Sequence, residues 1–272
     1  IDSRRVINIA IPMIFANITV PLLGFVDTTI IGQLGDANLI AALGLGSILI
    51  STLYWLCGFL RMGTTGLAAQ AIGSHQSREV FFILVRGLII GFILGLLILC
   101  LSYPIFFIFF QISPAELDVE TLSLEYAQIR VLSAPFAIAT IPIIGLLIAL
   151  EKTLSIFLIQ VLINVVNVVL NVLFVFYLDL SISGVAYATL ISEFLGFLFA
   201  LYFAFKFTNF NILDLFSKPI TKVLFKKEKW KRLFSINSNI FFRSLLLELV
   251  FISFFFWAAS FGTNILAVNQ IL

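Results

Sequence analysis

Residues 6–33 read VINIAIPMIFANITVPLLGFVDTTIIGQ. Asp27 is the only charged residue in this stretch. A helix that crosses a bilayer needs about 20 mostly apolar residues, so the stretch is long enough for one crossing. Asp27 then sits at mid-span between Phe25-Val26 and Thr28-Thr29. A charge at that depth is expensive and defaults to a functional reading.

The rest of the chain has the same character. Of its 272 residues, 61% are hydrophobic and 11% charged, and the mean hydropathy is +1.16. Soluble domains carry about 25% charged residues. A soluble core could not bury this much apolar surface, so the composition predicts an all-α polytopic membrane protein. A net charge of +2 provides no basic field for nucleic acid. Cys57 and Cys100 lie in apolar runs and read as packing residues. With His75 the only histidine, no multi-histidine metal or catalytic cluster can form. No H-E-x-x-H or G-x-S-x-G is present, so an enzyme is not expected, nor is a bound cofactor. The chain begins at Ile1 and stops at Leu272 inside an apolar stretch, and reads as a piece of a longer protein.

Hydropathy predicts spans over 6–33, 39–72, 80–110, 126–150, 153–178, 182–207 and 233–261, with an eighth beginning near Asn264. The long 39–72 run, which carries Arg61, reads as one long helix whose inner half reaches the cytoplasmic surface; the alternative, two short spans, would invert everything downstream. Placing the N-terminus in the cytoplasm puts thirteen of the sixteen basic residues inside: Arg4, Arg5, Arg78, Arg86, Lys152, Lys206, Lys218, Lys222, Lys226, Lys227, Lys229, Lys231 and Arg232. Of the basic residues, only Arg130 falls outside, beside Asp36, Glu116, Asp118, Glu120, Glu125 and Asp179. This is the positive-inside pattern. Ser113-Pro114-Ala115-Glu116 reads as a capping box that starts an outer helix. The connector 209–232 mixes Phe210, Leu213, Phe216 and Trp230 with lysines, which suits a segment held at the cytoplasmic interface by membrane lipid.

Arg5-Val6 falls on Arg232-Leu233 at an offset of 227, with Ile9 on Ile236, Phe15 on Phe242 and Gly35 on Gly262. Each copy follows a basic segment and opens an outward-going helix. Six spans per copy make these parallel repeats, which place a substrate site between two halves. The organisation expected is 1–207 as a six-helix lobe, 208–232 as a basic connector, and 233–272 as the start of a second lobe.

Several polar residues fall inside spans. Burial disfavours the charged form of Asp27, which suits it to carrying a proton; the alternative is a permanently bonded aspartate that locks its helix to a neighbour. Asn164, Asn167 and Asn171 are spaced i, i+3, i+7 and share one face of the fifth span. That stripe must meet protein or a water-filled cavity, as helix–helix glue or as a cavity wall. Glu193, Arg243 and Glu248 are further in-span charges without an evident partner. Gly87, Gly91 and Gly95 form a small-residue stripe that permits close helix contact. Pro12 and Pro21 each remove a backbone bond from the first span and can bend it.

These stretches resemble the MATE (multidrug and toxic compound extrusion) family, in its DinF-like branch. The text that carries the likeness is Ile9-Ala10-Ile11-Pro12, the run from Gly24 to Gly35 around Asp27, and the run from Leu60 to Gly73. Asn167 to Asn171, Gly184 to Thr189 and Asn237 to Arg243 extend it over nearly the whole chain. The resemblance implies a twelve-helix fold of two six-helix lobes, with this chain supplying the first lobe and the start of the second. It implies a monomeric secondary transporter in the inner membrane of a bacterium. Such a protein exports amphipathic or cationic small molecules against H+ or Na+ by alternating access. It also implies that Asp27 carries the coupling ion, that Asn167 and Thr189 are polar partners around it, and that Pro12 is a hinge. Asn164 and Asn171 complete the expected ion and substrate cavity. One departure bears on the ion. The DinF-like pattern usually has Asp where this chain has Asn171, and losing a carboxylate weakens an Na+ site more than a proton site, which favours H+. A lipid-linked precursor flippase and a non-transporting truncated remnant stay open as alternatives.

Overall fold

The computed structural model describes residues 3–113, 115–208 and 223–260. With no water in the hydrocarbon core, every backbone N–H and C=O must be satisfied within its own segment, and a helix does this. The described helices are α1 (Ser3–Gly32), α2 (Ala37–Trp55), α3 (Phe59–Gly73), α4 (Ser77–Cys100), α5 (Ser102–Ile112), α6 (Leu117–Arg130), α7 (Ala134–Ala149), α8 (Thr153–Asn171), α9 (Ser181–Thr208) and α10 (Lys227–Ser260). Short 3₁₀ turns at Leu56–Gly58 and Val131–Ser133 join α2 to α3 and α6 to α7. A π-helical segment, Val172–Tyr177, extends α8. Among the described residues, six helices are long and apolar enough to cross a membrane: Val6–Gly32, Ala37–Gly73, Ser77–Cys100, Leu117–Ala149, Thr153–Tyr177 and Ser181–Thr208. The long second run is continuously helical from Ala37 to Gly73, through the 3₁₀ turn at Leu56–Gly58. Helix α10 covers the expected seventh span as far as Ser260 but is not among the six; its first turns hold the basic run of the connector.

Two expectations need correction at the third and fourth spans. The predicted 80–110 span breaks at Leu101, so α4 crosses alone and α5 is a separate short helix. Ser113 does not cap the next helix. It ends α5 with an extended backbone, φ −64° and ψ 131°, the conformation imposed on a residue that precedes proline. Its Oγ accepts from Ala115 N at 3.3 Å. Helix α6 starts only at Leu117, with Asp118 and Glu120 in its first turn. The fourth span therefore begins well before the predicted residue 126.

The chain divides into two compact units, Ile1–Phe225 and Lys226–Leu272. In the first, α7 is the central element and packs against α3, α4 and α9. Its Ala134, Ile138, Ala139, Ile143, Leu146 and Leu147 are fully buried. Helix α1 packs chiefly on α8, and α2 on α6.

The α4–α7 contact explains the glycine stripe. A Cβ on Gly95 would stand 2.4 Å from Pro135 Cα, one on Gly91 2.9 Å from Ala139 Cα, and one on Gly87 2.8 Å from Pro142 Cβ. Only hydrogen fits at these three points. Pro142 has no N–H to offer the Ile138 carbonyl one turn back. Gly91 lies against that freed oxygen, 3.1 Å from where its Cβ would be, a site for a weak Cα–H···O contact.

Arg86, expected in a cytoplasmic segment, is buried within α4 at 2% exposure. Its Nε donates to Leu224 O at 2.9 Å, Nη2 to Val223 O at 3.1 Å, and Nη1 to Glu79 Oε1 at 3.1 Å. Phe82 lies against the guanidinium, 5.7 Å from ring centroid to Cζ. The end of the connector is thus clasped to α4 beside Phe81, Phe82 and Val85. Of the remaining expectations, residues 209–222, Pro114, the eighth span and the Glu248 side chain lie outside the described residues. Arg243 is exposed.

Replacing Gly95 by Ala should lower the unfolding free energy by about 1–3 kcal/mol, the cost of overpacking a rigid contact. Gly44→Ala, where nothing lies within 4 Å of a new Cβ, should leave it nearly unchanged. Thermal unfolding of the two purified variants reads the contrast, and equal melting would refute close packing. His75 closes α3 in the left-handed conformation, φ 58°, with Gln76 N donating to Ala71 O and His75 N to Ile72 O. This is a helix end that favours glycine. His75→Gly should therefore stabilise the protein by about 0.5–1 kcal/mol, readable as a higher melting temperature.

Candidate functional site

Three helices bring the predicted polar residues together. Helix α1 supplies Asp27, α8 supplies Asn167 and Asn171, and α9 supplies Thr189. All four are buried, at 5%, 0%, 0% and 1% exposure respectively. Asn171 Nδ2 donates to Asp27 Oδ1 at 2.6 Å and to Asn167 Oδ1 at 2.9 Å. Asn167 Nδ2 donates to Thr189 Oγ1 at 3.0 Å. The Thr189 hydroxyl stands 3.0 Å from Val185 O and 3.4 Å from Asp27 Oδ2. Its single proton serves the helix carbonyl or the carboxylate.

The i, i+4 spacing of Asn167 and Asn171 makes this relay possible, because it stacks the two amides on one face. Asn164, one turn earlier, does not join them. It is half-buried and donates from Nδ2 to Thr19 O at 3.0 Å, tying α8 to α1. Asn171 Oδ1 is buried and has no hydrogen-bond partner. Among the described residues, no basic side chain hydrogen-bonds Asp27; its partners are an amide and a hydroxyl. The π-helical segment starts at the residue after Asn171, a deviation often found at functional sites. Pro12 is half-buried inside an uninterrupted α1.

A second polar cluster adjoins the first, and reading the sequence missed it. Arg130, assigned there to an outer segment, is buried at the end of α6. It forks onto Glu193, with Nη1 to Oε2 at 2.9 Å and Nη2 to Oε1 at 3.1 Å. Glu193 therefore has a partner after all. Arg130 Nη1 also donates to Ser133 Oγ at 2.9 Å. The Tyr54 hydroxyl lies 2.9 Å from Ser133 Oγ and 3.1 Å from Arg130 O. Ser47 Oγ donates to the Tyr126 hydroxyl at 3.3 Å. Thr189 and Glu193 are four residues apart on α9, so that helix presents both clusters from one face, and Tyr126 and Arg130 of the second cluster are likewise four apart on α6. That spacing was the available signal. Among the described residues, no group of three or more His, Cys, Asp or Glu is arranged to hold a metal.

Asn171→Leu should cost about 1–3 kcal/mol, since it leaves both the buried Asp27 and Asn167 oxygens without their donor. Asn164→Leu, which removes one bond from a half-buried site, should cost less. Denaturant-free thermal melts in one detergent compare them; equal losses would mean that the Asn171 relay adds nothing.

The MatE family model matches residues 12–173, which include Asp27, Asn164, Asn167 and Asn171. The chain is 35% identical over 271 residues to DNA damage-inducible protein F of Escherichia coli, covering 100% of this chain and 58% of that protein. It is 23% identical over 246 residues to multidrug export protein MepA of Staphylococcus aureus, covering 90% of this chain and 53% of the relative. Among solved structures, a MATE protein in its bent conformation superposes with a TM-score of 0.83 at 24% identity, covering 98% of this chain and 59% of that one. A MOP superfamily transporter from Pyrococcus furiosus superposes with a TM-score of 0.81 at 24% identity, covering 98% and 58%. The chain thus spans a little over half the length of these relatives, and with a family match over more than half of its residues it belongs to the MatE family.

Proposed function

We propose that this chain forms the first lobe, and the start of the second, of a secondary active multidrug efflux transporter. It exchanges amphipathic or cationic small molecules for entering H+ by alternating access. The observation that carries this reading is the buried Asp27 carboxylate, which among the described residues meets Asn171 and Thr189. A carboxylate in a low-dielectric interior without a cationic partner in contact is poised to take up a cation. The names of the relatives, one of them a multidrug export protein, support the same class. Asn171 stands where the DinF-like pattern usually has an acid. A dehydrated Na+ gains most from anionic oxygens, so a single carboxylate favours H+ over Na+.

The working protein is then a monomer in a bacterial inner membrane with its N-terminus in the cytoplasm. Single-cysteine variants lacking Cys57 and Cys100 test the orientation. Position 226 should resist an impermeant reagent added outside, and position 116 should react; labelling at 226 would invert the topology.

The mechanistic test uses the complete transporter in proteoliposomes, under separately imposed pH and Na+ gradients. Asp27→Asn should abolish efflux driven by the pH gradient while leaving the melting temperature near that of the parent. Asn171→Asp, which restores the second acid, should introduce dependence on Na+. Full pH-driven transport by Asp27→Asn would make the aspartate structural.

A further inference from the structure

The lobe interior contains two carboxylates and one cation in neighbouring clusters. Arg130 lies within electrostatic reach of Asp27, and Tyr126 within reach of both. Among the described residues, few other charges lie on the helices of this unit near Asp27. Helix α1 beyond Arg5 has none but Asp27 itself, and α2 and α8 carry none. Helix α6 offers Arg130, its Asp118, Glu120 and Glu125 lying earlier toward its start, and α9 offers Glu193, with Lys206 in its last turn. Arg130 could in principle serve either acid. The geometry pairs it with Glu193, because both terminal nitrogens fork onto that carboxylate at 2.9 and 3.1 Å, while its buried Nε has no hydrogen-bond partner. Ser133 takes a further bond and Tyr54 fixes the turn. Among the described hydrogen bonds, none joins Arg130 to Asp27.

We infer that Glu193 is a positioning residue for ion coupling. By pairing with Arg130, it offsets the positive charge that Arg130 presents to Asp27, so that Asp27 responds to an entering cation instead. If Glu193 is neutralised, the Arg130 charge is released inside the lobe. Asp27 then gains a permanent counter-ion, and an entering cation must compete with it. The sign follows from Coulomb's law: loss of the distal negative charge makes loading of Asp27 harder. This rests on Asp27 carrying the coupling cation.

The test is efflux of ethidium by the complete transporter in proteoliposomes, with the outside proton concentration varied and melting temperature measured on each preparation. Glu193→Gln should need about tenfold more protons for half-maximal efflux, with the maximal rate little changed. The double variant Arg130→Gln/Glu193→Gln removes both charges and should return to the parent's proton demand. A merely structural pair would not show that rescue. Arg130→Lys keeps the charge but loses the two-point fork, and should shift demand in the same direction by less. Should Glu193→Gln fail to accumulate, the other two variants carry the test. Parental proton demand in Glu193→Gln or in Arg130→Lys would overturn the inference, as would a double variant as impaired as the single. Asp27→Asn runs alongside: if it retains gradient-dependent efflux, the assignment of Asp27 fails, and the inference with it. If Asp27→Asn loses coupling while the variants at 130 and 193 match the parent, only the role of Glu193 fails.

Discussion

In the hydrocarbon core of a bilayer, a polar side chain can find hydrogen-bond partners only within the protein. Asp27 is the sharpest instance, and the way it is satisfied fixes which helices adjoin. Its partners come from residues 144 and 162 positions further along the chain. The Asn171 contact ties α1 to α8, and the Asn167–Thr189 contact ties α8 to α9. The first span therefore cannot reach its final environment until the fifth and sixth are in place. The polar relay is a requirement on assembly as well as a feature of the finished lobe.

Lipid tails are as apolar as leucine, so greasy surfaces alone do not hold helices together in a membrane; close packing does. Helix α7 supplies that packing at the centre. On one side it meets the α4 glycines at backbone contact. On another, Gly145 stands so close to α3 that a Cβ there would lie 2.6 Å from Arg61 O, and Thr65 Oγ1 donates to Gly145 O at 2.9 Å. Backbones this close leave little room for sliding, which gives the polar clusters a firm frame.

How much could be read beforehand depended on whether a signal was local. Six crossings were legible because hydropathy accumulates over each span. The asparagine stripe was legible because its three members share one helix, and the glycine stripe because its spacing recurs on one face. The Arg130–Glu193 pair was hidden: its partners are 63 residues apart, and each looks like an isolated charge. Arg130 was also misplaced by its acidic neighbours. Glu116, Asp118, Glu120 and Glu125 lower the local hydropathy, so the fourth span seemed to start near residue 126 when the helix already runs from Leu117. Asn164 shows the opposite failure, since a shared face did not mean a shared cluster. A carbonyl of α1 was nearer than the relay.

The clasp that Arg86 makes on Val223 and Leu224 reads the main chain only. Its hydrogen bonds end on carbonyl oxygens, which every residue type possesses, proline included. These bonds themselves place no demand on the side chain at 223, which answers only to its packing beside Phe81, Phe82 and Val85, whereas they fix the register. An insertion between residues 223 and 224 would separate two acceptors matched to one planar guanidinium. The same insertion earlier in the connector would leave them paired. Natural variation here is expected to be permissive in composition and strict in spacing, the reverse of what a search for invariant letters would detect.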